Sequence, residues 1–325
     1  MKFFLTGVAG FIGFHVTAAL LDRGHSVTGL DSLNAYYDPA LKRARLFQLE
    51  GRKAFRFVQA DIADAAALDR AAAGEPYDAI VHLAAQAGVR YAIDHPRAYT
   101  QSNLIGHHNM LELARHMKGL AHMVYASSSS VYGNDTKAPF SESARADKPV
   151  SFYGATKRAG ELMSHSYAEL FGLKLTGLRF FTVYGRWGRP DMAYWLFTEA
   201  VLQAKPLKLF GGGLLKRDFT WIDDIVTAVV RMAETPFAME DGGAQHRIYN
   251  LGNSRPEEVL TLIRTIEQAT GKSAIIEHAV GPAGDVNETY ADVTRAARDF
   301  GFKSSTTLQE GIHRFVEWYR DYHLK

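Results

Sequence analysis

The chain is 325 residues long, 47% hydrophobic and 22% charged, which supports a buried core in one large or two modest domains. Lys and Arg number 37 against 35 Asp and Glu, a formal +2 that argues against a nucleic-acid footprint or a polybasic membrane patch. The absence of cysteine excludes disulfides, thiolate nucleophiles, iron–sulfur clusters and Cys-ligated zinc, and fits a reducing, cytoplasmic setting.

In chain order, Met1 to Leu21 is mostly apolar, but Gly7, Gly10 and Gly13 cut the run and no small-x-small cleavage site follows. It reads as strand, turn and helix rather than as a leader. No stretch approaches the roughly 18 uninterrupted apolar residues of a membrane span. Strands are predicted at Lys2–Leu5, Ser26–Leu30, Phe55–Val58, Ala79–Leu83, Met123–Ala126 and Leu175–Phe180. Helices are predicted between them at Phe11–Asp22, Ala40–Leu49, Ala65–Ala73, Arg97–Met117 and Phe152–Phe171. Such alternation specifies βαβ units and an α/β, doubly wound (Rossmann) parallel sheet. After about Gly185 the rhythm breaks, with Gly211-Gly212-Gly213, Gly242-Gly243 and Gly281-Pro282 separating shorter elements. A smaller C-terminal α/β domain is expected there, while Phe219–Glu234 as helix and Arg247–Leu251 as strand return to the first sheet.

The first strand runs into Gly7-x-x-Gly10-Phe11-Ile12-Gly13 and then a helix, a turn whose backbone can approach a pyrophosphate lying on the helix N-terminus. Glycine triplets also make ordinary turns, so context decides. The second strand ends at Asp31, 18 residues past Gly13, where a carboxylate can accept both ribose hydroxyls and repels a 2′-phosphate. NAD is therefore expected rather than NADP. Asp61-Ile62 would flank the adenine, and Leu83-Ala84-Ala85 offers small residues where the cofactor backbone passes.

Tyr153 and Lys157 lie four apart at the start of a predicted helix and so on one face. An ammonium and a cationic nicotinamide nearby both favour phenolate, letting Tyr153 accept a hydroxyl proton. Tyr-x-x-x-Lys arises easily as a core tyrosine beside a surface lysine. The serine run Ser127 to Ser130, at a strand end where open α/β sheets bind ligands, raises its weight. No two of the 13 histidines stand three or four apart and there is no G-x-S-x-G elbow, so no metal ligation is expected.

Together, T-G-x-x-G-F-I-G, Asp31, Y-A-S-S-S-S-V-Y-G and Y-x-x-x-K resemble the extended short-chain dehydrogenase/reductase superfamily over essentially the whole chain. Within it, Asp31 to Pro39 (including Asn34), Ala84 to Tyr91 (including Arg90), Leu178 to Gly185, Arg189 to Met192 and Arg217 to Ile225 are similar to UDP-glucuronate 4-epimerases. The resemblance implies Ser128, Tyr153 and Lys157 as catalytic trio. It also implies Arg90, Asn103, Ser129, Ser130, Thr182 and Arg189 around the substrate, Arg217 on the diphosphate, Phe210 by the uracil and Asp285 on the uridine ribose. It divides the chain into an NAD-binding domain (1–180 with about 219–252) and a nucleotide-sugar domain (181–218 and 253–325). It further implies tightly held NAD regenerated each turnover, and a homodimer through a four-helix bundle.

Related 4,6-dehydratases carry Asp-Glu where Ser129-Ser130 stand, and decarboxylases a glutamate at Ser130; neither carboxylate is present. Epimerases of neutral hexoses tend to have Asn at Thr182 and Ala-Thr at 129–130, so a UDP-glucose/UDP-galactose reading stays open behind the glucuronate one. An arginine that many sugar-nucleotide epimerases carry just before Gly284-Asp285 is missing from Ala279-Val280-Gly281-Pro282-Ala283. A non-catalytic dinucleotide sensor would be expected to lack Tyr153 or Lys157; both are present.

Overall fold

The computed structural model describes residues 1–235, 245–279 and 288–323, and the chain divides into two compact units. The first comprises Met1–Thr136, Glu142–Phe180 and Val226–Asn250; the second comprises Lys137–Ser141, Phe181–Ile225 and Leu251–Lys325.

The first unit alternates β1 (Lys2–Thr6), α1 (Phe11–Asp22), β2 (Ser26–Asp31), α2 (Pro39–Phe47), β3 (Phe55–Gln59), α3 (Ala65–Ala72) and β4 (Ala79–His82). It continues through the short helices α4 (Tyr91–Asp94) and α5 (Pro96–Tyr99) to α6 (Gly106–His116), β5 (His122–Ser128), α7 (Phe152–Phe171) and β6 (Leu175–Phe180). Strand order is β3-β2-β1-β4-β5-β6, with the returning strand His246–Leu251 beside β6, seven strands in all. The pairs between β1, β2, β3, β4, β5 and β6 are parallel. A parallel sheet is covered on both faces, which is why Phe3-Phe4-Leu5, Ile80-Val81 and Met123-Val124 read as unbroken apolar runs and are buried. Order reverses between β1 and β4, so the ligand crevice of this fold lies outside their C-terminal ends.

Two predicted elements differ. The helix expected over Arg97–Met117 is broken: α5 starts at Pro96, a π-helical turn spans Thr100–Ile105, and α6 follows. The wider turn accompanies a buried Asn103 whose amide is engaged off the helix, as π-turns at functional positions commonly are. The helix expected from Phe219 begins at Ile222 and runs to Glu234, because Phe219, Thr220 and Trp221, all strand-favouring, are paired with Thr182–Tyr184. Asp223 and Asp224 then occupy the first helical turn, where acidic groups favour the positive end of the dipole.

In the second unit the strand Lys216–Trp221 pairs antiparallel with Pro256–Glu258 and parallel with Glu288–Thr289 and Thr182–Tyr184. A second ribbon joins Pro206–Phe210 to Ile275–Ala279 in parallel. Buried Asp218 ties this unit together, accepting the backbone N–H groups of Ser254 and Ala291 at 3.0 Å each. Among the described residues no helix is long and apolar enough to cross a membrane.

Candidate active site

The glycine turn is built where β1 and β4 end. Gly7 has φ +80°, and a Cβ there would lie 2.7 Å from the Ala84 nitrogen and 2.8 Å from the Leu83 carbonyl carbon. At Gly13 a Cβ would lie 2.0 Å from the Gly7 oxygen, so α1 can pack this tightly on the turn only with glycine. Gly10 precedes α1 without a side-chain cap, which leaves the first helical N–H groups, from Phe11 and Ile12 onward, for an anion. Leu83 and Ala84 donate to Thr6, the former to its carbonyl at 3.0 Å and the latter to Oγ1 at 3.2 Å, fixing the Leu83-Ala84-Ala85 wall beside the turn.

Asp31 closes β2 with its carboxylate buried. Oδ2 accepts from the Ala9 N–H at 3.1 Å and Oδ1 from Leu33 at 2.9 Å, so the acid is aimed by the glycine turn itself. Burial pushes its pKa above the ordinary range, opposed by those N–H groups and by Lys42 and Arg45. Lys42 is held by the Asn34 side-chain oxygen at 2.7 Å, and fully buried Arg45 donates to the Ala9 carbonyl at 2.8 Å and to the Tyr37 hydroxyl at 2.6 Å. These two cations, one turn apart on α2, were not anticipated; their signal is a basic pair on the apolar face of a helix directly after the Asp31 loop. Asp61 is exposed and caps its own loop on the Ala63 N–H at 2.9 Å, while Ile62 is buried. A cradle that added Cβ atoms would fill, with an acid beyond it, fits the pyrophosphate and ribose of NAD.

Ser128 ends β5. Its Oγ accepts the Ser130 N–H at 3.2 Å, an arrangement that leaves the hydroxyl hydrogen to donate outward, and Ser129 and Ser130 sit half-buried in the following turn. The α7 helix starts against this turn: a Cβ on Gly154 would be 2.4 Å from the Ser130 oxygen. Ser151 caps the helix by accepting the Gly154 N–H at 3.0 Å, which sets Tyr153 in the first turn, its ring 6.0 Å from that of Tyr99. Lys157, one turn on, donates to the Ala126 carbonyl at 2.9 Å. Burial draws its pKa down to about 8, and the charge of Glu161 opposes the fall. Ala84, Ala85, Asn103, Thr156 and Lys157 line one small cleft.

Asn103, expected on the substrate floor, has its amide committed within the protein. It accepts the Gln86 N–H at 2.8 Å and donates to the Gln86 carbonyl at 2.9 Å and to Thr156 Oγ1 at 3.0 Å. Thr156 in turn donates to the Tyr153 carbonyl at 2.8 Å. Asn103 thus braces the wall after β4 against the turn carrying Tyr153. Arg90 is exposed immediately before α4. In the second unit Thr182 opens its strand half-buried, Phe210 ends another before the Gly211 turn, and Arg189 pairs with Asp191. Arg217, on the central strand, donates to the Lys216 carbonyl at 2.9 Å. Asp285 lies outside the described residues. Among those described, no group of three His, Asp or Glu side chains is placed to hold a metal.

A glycine turn at the switch point of a parallel sheet, with Ser128 ending β5 and Tyr153 and Lys157 opening the helix that packs against the following turn, is the arrangement of the short-chain dehydrogenase/reductase class. The profile of the NAD dependent epimerase/dehydratase family matches residues 3–252, and the chain belongs to that family. It is 45% identical over 333 residues to a probable UDP-glucuronate 4-epimerase of Rhizobium meliloti (strain 1021), covering 98% of this chain and 97% of that protein. It is 47% identical over 329 residues to UDP-glucuronate 4-epimerase 3 of Arabidopsis thaliana, covering 98% of this chain and 76% of the relative. Its fold superposes with TM-score 0.91 and 32% identity on UDP-glucuronic acid 4-epimerase from Bacillus cereus in complex with UDP-glucuronic acid and NAD, over 99% of this chain and 100% of that one.

Proposed function

We infer that the chain inverts C4 of UDP-glucuronate to give UDP-galacturonate through a transient 4-keto sugar. The observation that carries this reading is the turn after β5, which sets Ser128, Ser129 and Ser130 against the start of α7, with hydroxyls where dehydration or decarboxylation would need carboxylates. The full-length likeness to proteins named for this reaction supports it. When bound, NAD supplies the hydride acceptor and donor at C4. Gly7, Gly10, Gly13 and Asp31 hold its pyrophosphate and adenosine ribose, and Leu83 to Ala85 border its path.

Tyr153, as phenolate, takes the proton from O4. Lys157 favours that phenolate through its ammonium, and Ser128 donates to the same oxygen. Phe210, Arg217 and Asp285 hold the uridine diphosphate, so that the 4-keto sugar can turn on this tether and show its other face. Tyr153 then returns the proton to O4 on the inverted carbon. Ser129, Ser130 and Thr182 donate to the C6 carboxylate without adding negative charge, and charge-assisted donors of this kind are the strong ones. They also keep the carboxyl–C5 bond out of the alignment in which a β-keto acid loses CO2. The same hydroxyl set favours the acid over the neutral UDP-glucose/UDP-galactose pair.

The protein is proposed to act in the cytoplasm as a homodimer, with α6 and α7 of each copy forming a four-helix bundle. The test of function is proton NMR of UDP-glucuronate incubated with the protein and no added reductant. UDP-galacturonate is the expected product; UDP-xylose, or unchanged substrate, overturns the reading. Thr182→Ala is expected to release UDP-4-keto-pentose as a side product, and an unchanged product ratio rejects the carboxylate role of Thr182.

A further inference from the structure

Behind Lys157 lies a buried ion cluster that none of the steps above uses. Glu161 is 1% exposed, and it accepts from Ser127 Oγ at 2.6 Å, from Arg179 Nε at 2.8 Å and its second guanidinium nitrogen at 2.7 Å, and from Arg158 at 2.9 Å. Ser127 is the residue before Ser128, Arg179 is buried on β6, and Glu161 stands four residues past Lys157 on α7. We propose that Glu161 is a positioning residue for the Ser128–Tyr153–Lys157 set: it registers the end of β5 and the middle of β6 against α7, and presents a buried negative charge one turn from the lysine ammonium.

Geometrically, one carboxylate bonded to β5, β6 and its own helix fixes the separation of Ser128 from Tyr153 and Lys157, which lie on two of those elements. Electrostatically, a buried lysine tends to shed its proton, and a neutral amine gives a neighbouring phenolate no support. The groups facing the ammonium from other elements supply no countercharge: His82 on β4 and His107 on α6 are held neutral by burial, and the Ala126 oxygen is a carbonyl. Arg179 and Arg158 hold Glu161 ionised against its burial, and Tyr125 and His246 are the remaining titratable groups that sense it. Glu161 is the charge that opposes desolvation of Lys157.

This inference rests on Lys157 acting beside Tyr153, and its test reads the lysine directly. In the NAD-loaded protein carrying ¹³Cε-lysine, the Lys157 signal, assigned by its loss in Lys157→Arg, should titrate below the ordinary lysine range. Glu161→Gln removes the negative charge and should move that titration down by about 1 unit or more. Arg158→Met removes a partly exposed positive charge bonded to Glu161 and should move it up, by about half a unit. A purely structural clip would shift neither, or both in one direction, and either result overturns the proposal. If Glu161→Gln does not fold, Arg158→Met decides alone: no upward shift rejects it. Opposite shifts in a protein that leaves UDP-glucuronate unchanged sink the substrate reading and keep the role of Glu161; turnover with an unmoved lysine does the reverse.

Discussion

In the proposed reaction the Tyr153 oxygen must exchange one proton without drifting, and its neighbours hold it one contact at a time. Ser151 caps the turn beneath it, Thr156 holds its carbonyl, and Lys157 is anchored on Ala126. Tyr153→Phe should therefore fold and keep NAD while losing about 10²- to 10⁴-fold in turnover, the worth of a positioned proton-transfer group. Turnover within threefold of the parent, measured by NMR, would reject the assignment. A second consequence at this scale concerns pH. His107, buried and bonded to Ser164 Oγ at 2.9 Å, has its pKa drawn down to about 3 by burial and then by Lys157, and that of His246 falls to about 4. An unfolded histidine binds its proton near pH 6.5, so below that the unfolded chain holds more protons than the folded one. Stability is fully present above about pH 6.5 and falls as pH drops toward 4, by about 1.4 kcal/mol per pH unit for each such histidine. Urea unfolding at pH 7.5, 6 and 5 checks this, and His107→Gln should flatten the slope by one histidine's share. Tyr153 and Lys157 stood out as candidates in the sequence because they lie four apart, and Ser128 because it sits in a serine run at a predicted strand end. Glu161 and Arg179 were not, since what marks them is burial opposite one another; a charged residue inside the apolar run Leu175–Phe180 was the available signal.

At the scale of elements, the glycine turn was readable because its chemistry is written in consecutive residues, whereas two boundaries were fixed by partners distant in sequence. Nothing in the run after Pro96 announces a π-turn; it accompanies the engagement of Asn103 by Gln86 and Thr156. Likewise Phe219 to Trp221 has an apolar pattern compatible with helix until Thr182–Tyr184 pairs with it. The turn itself gives the sharpest expectation. A side chain at Gly13 must displace the Gly7 carbonyl, whose position also sets the Gly10 N–H bond of 2.9 Å. Gly13→Val should cost NAD affinity at least about 100-fold, because the backbone N–H groups proposed to hold the pyrophosphate move with the turn. Fluorescence titration with NADH measures it. Affinity preserved in a folded variant would show that the pyrophosphate lies elsewhere.

At the scale of the whole molecule, the chain leaves the first unit briefly over Lys137–Ser141, leaves again at Phe181, returns at Val226 and leaves last at Leu251. The break in rhythm read near Gly185 lies close to the boundary at Phe181. The later crossings were blurred because short strands such as Pro256–Glu258 and Glu288–Thr289 are too brief to carry a period. What the fold leaves outward on its first unit bears on assembly. Leu162 is 56% and Leu170 70% exposed on α7, eight residues and so about two turns apart on one side of the helix. Ile105, at the end of the π-turn leading into α6, is also exposed. Apolar side chains repeated along one helix face are what a second copy covers in a bundle, each fully buried leucine contributing about 2 kcal/mol. The paired substitution Leu162→Glu with Leu170→Glu should accordingly yield a monomer that still binds NADH, because neither residue touches the glycine turn or the Ser128 turn. Sedimentation velocity at micromolar protein distinguishes the cases: a dimeric parent and a monomeric variant are expected. A parent that sediments as a monomer, or a variant that remains dimeric, would place the contact on another face.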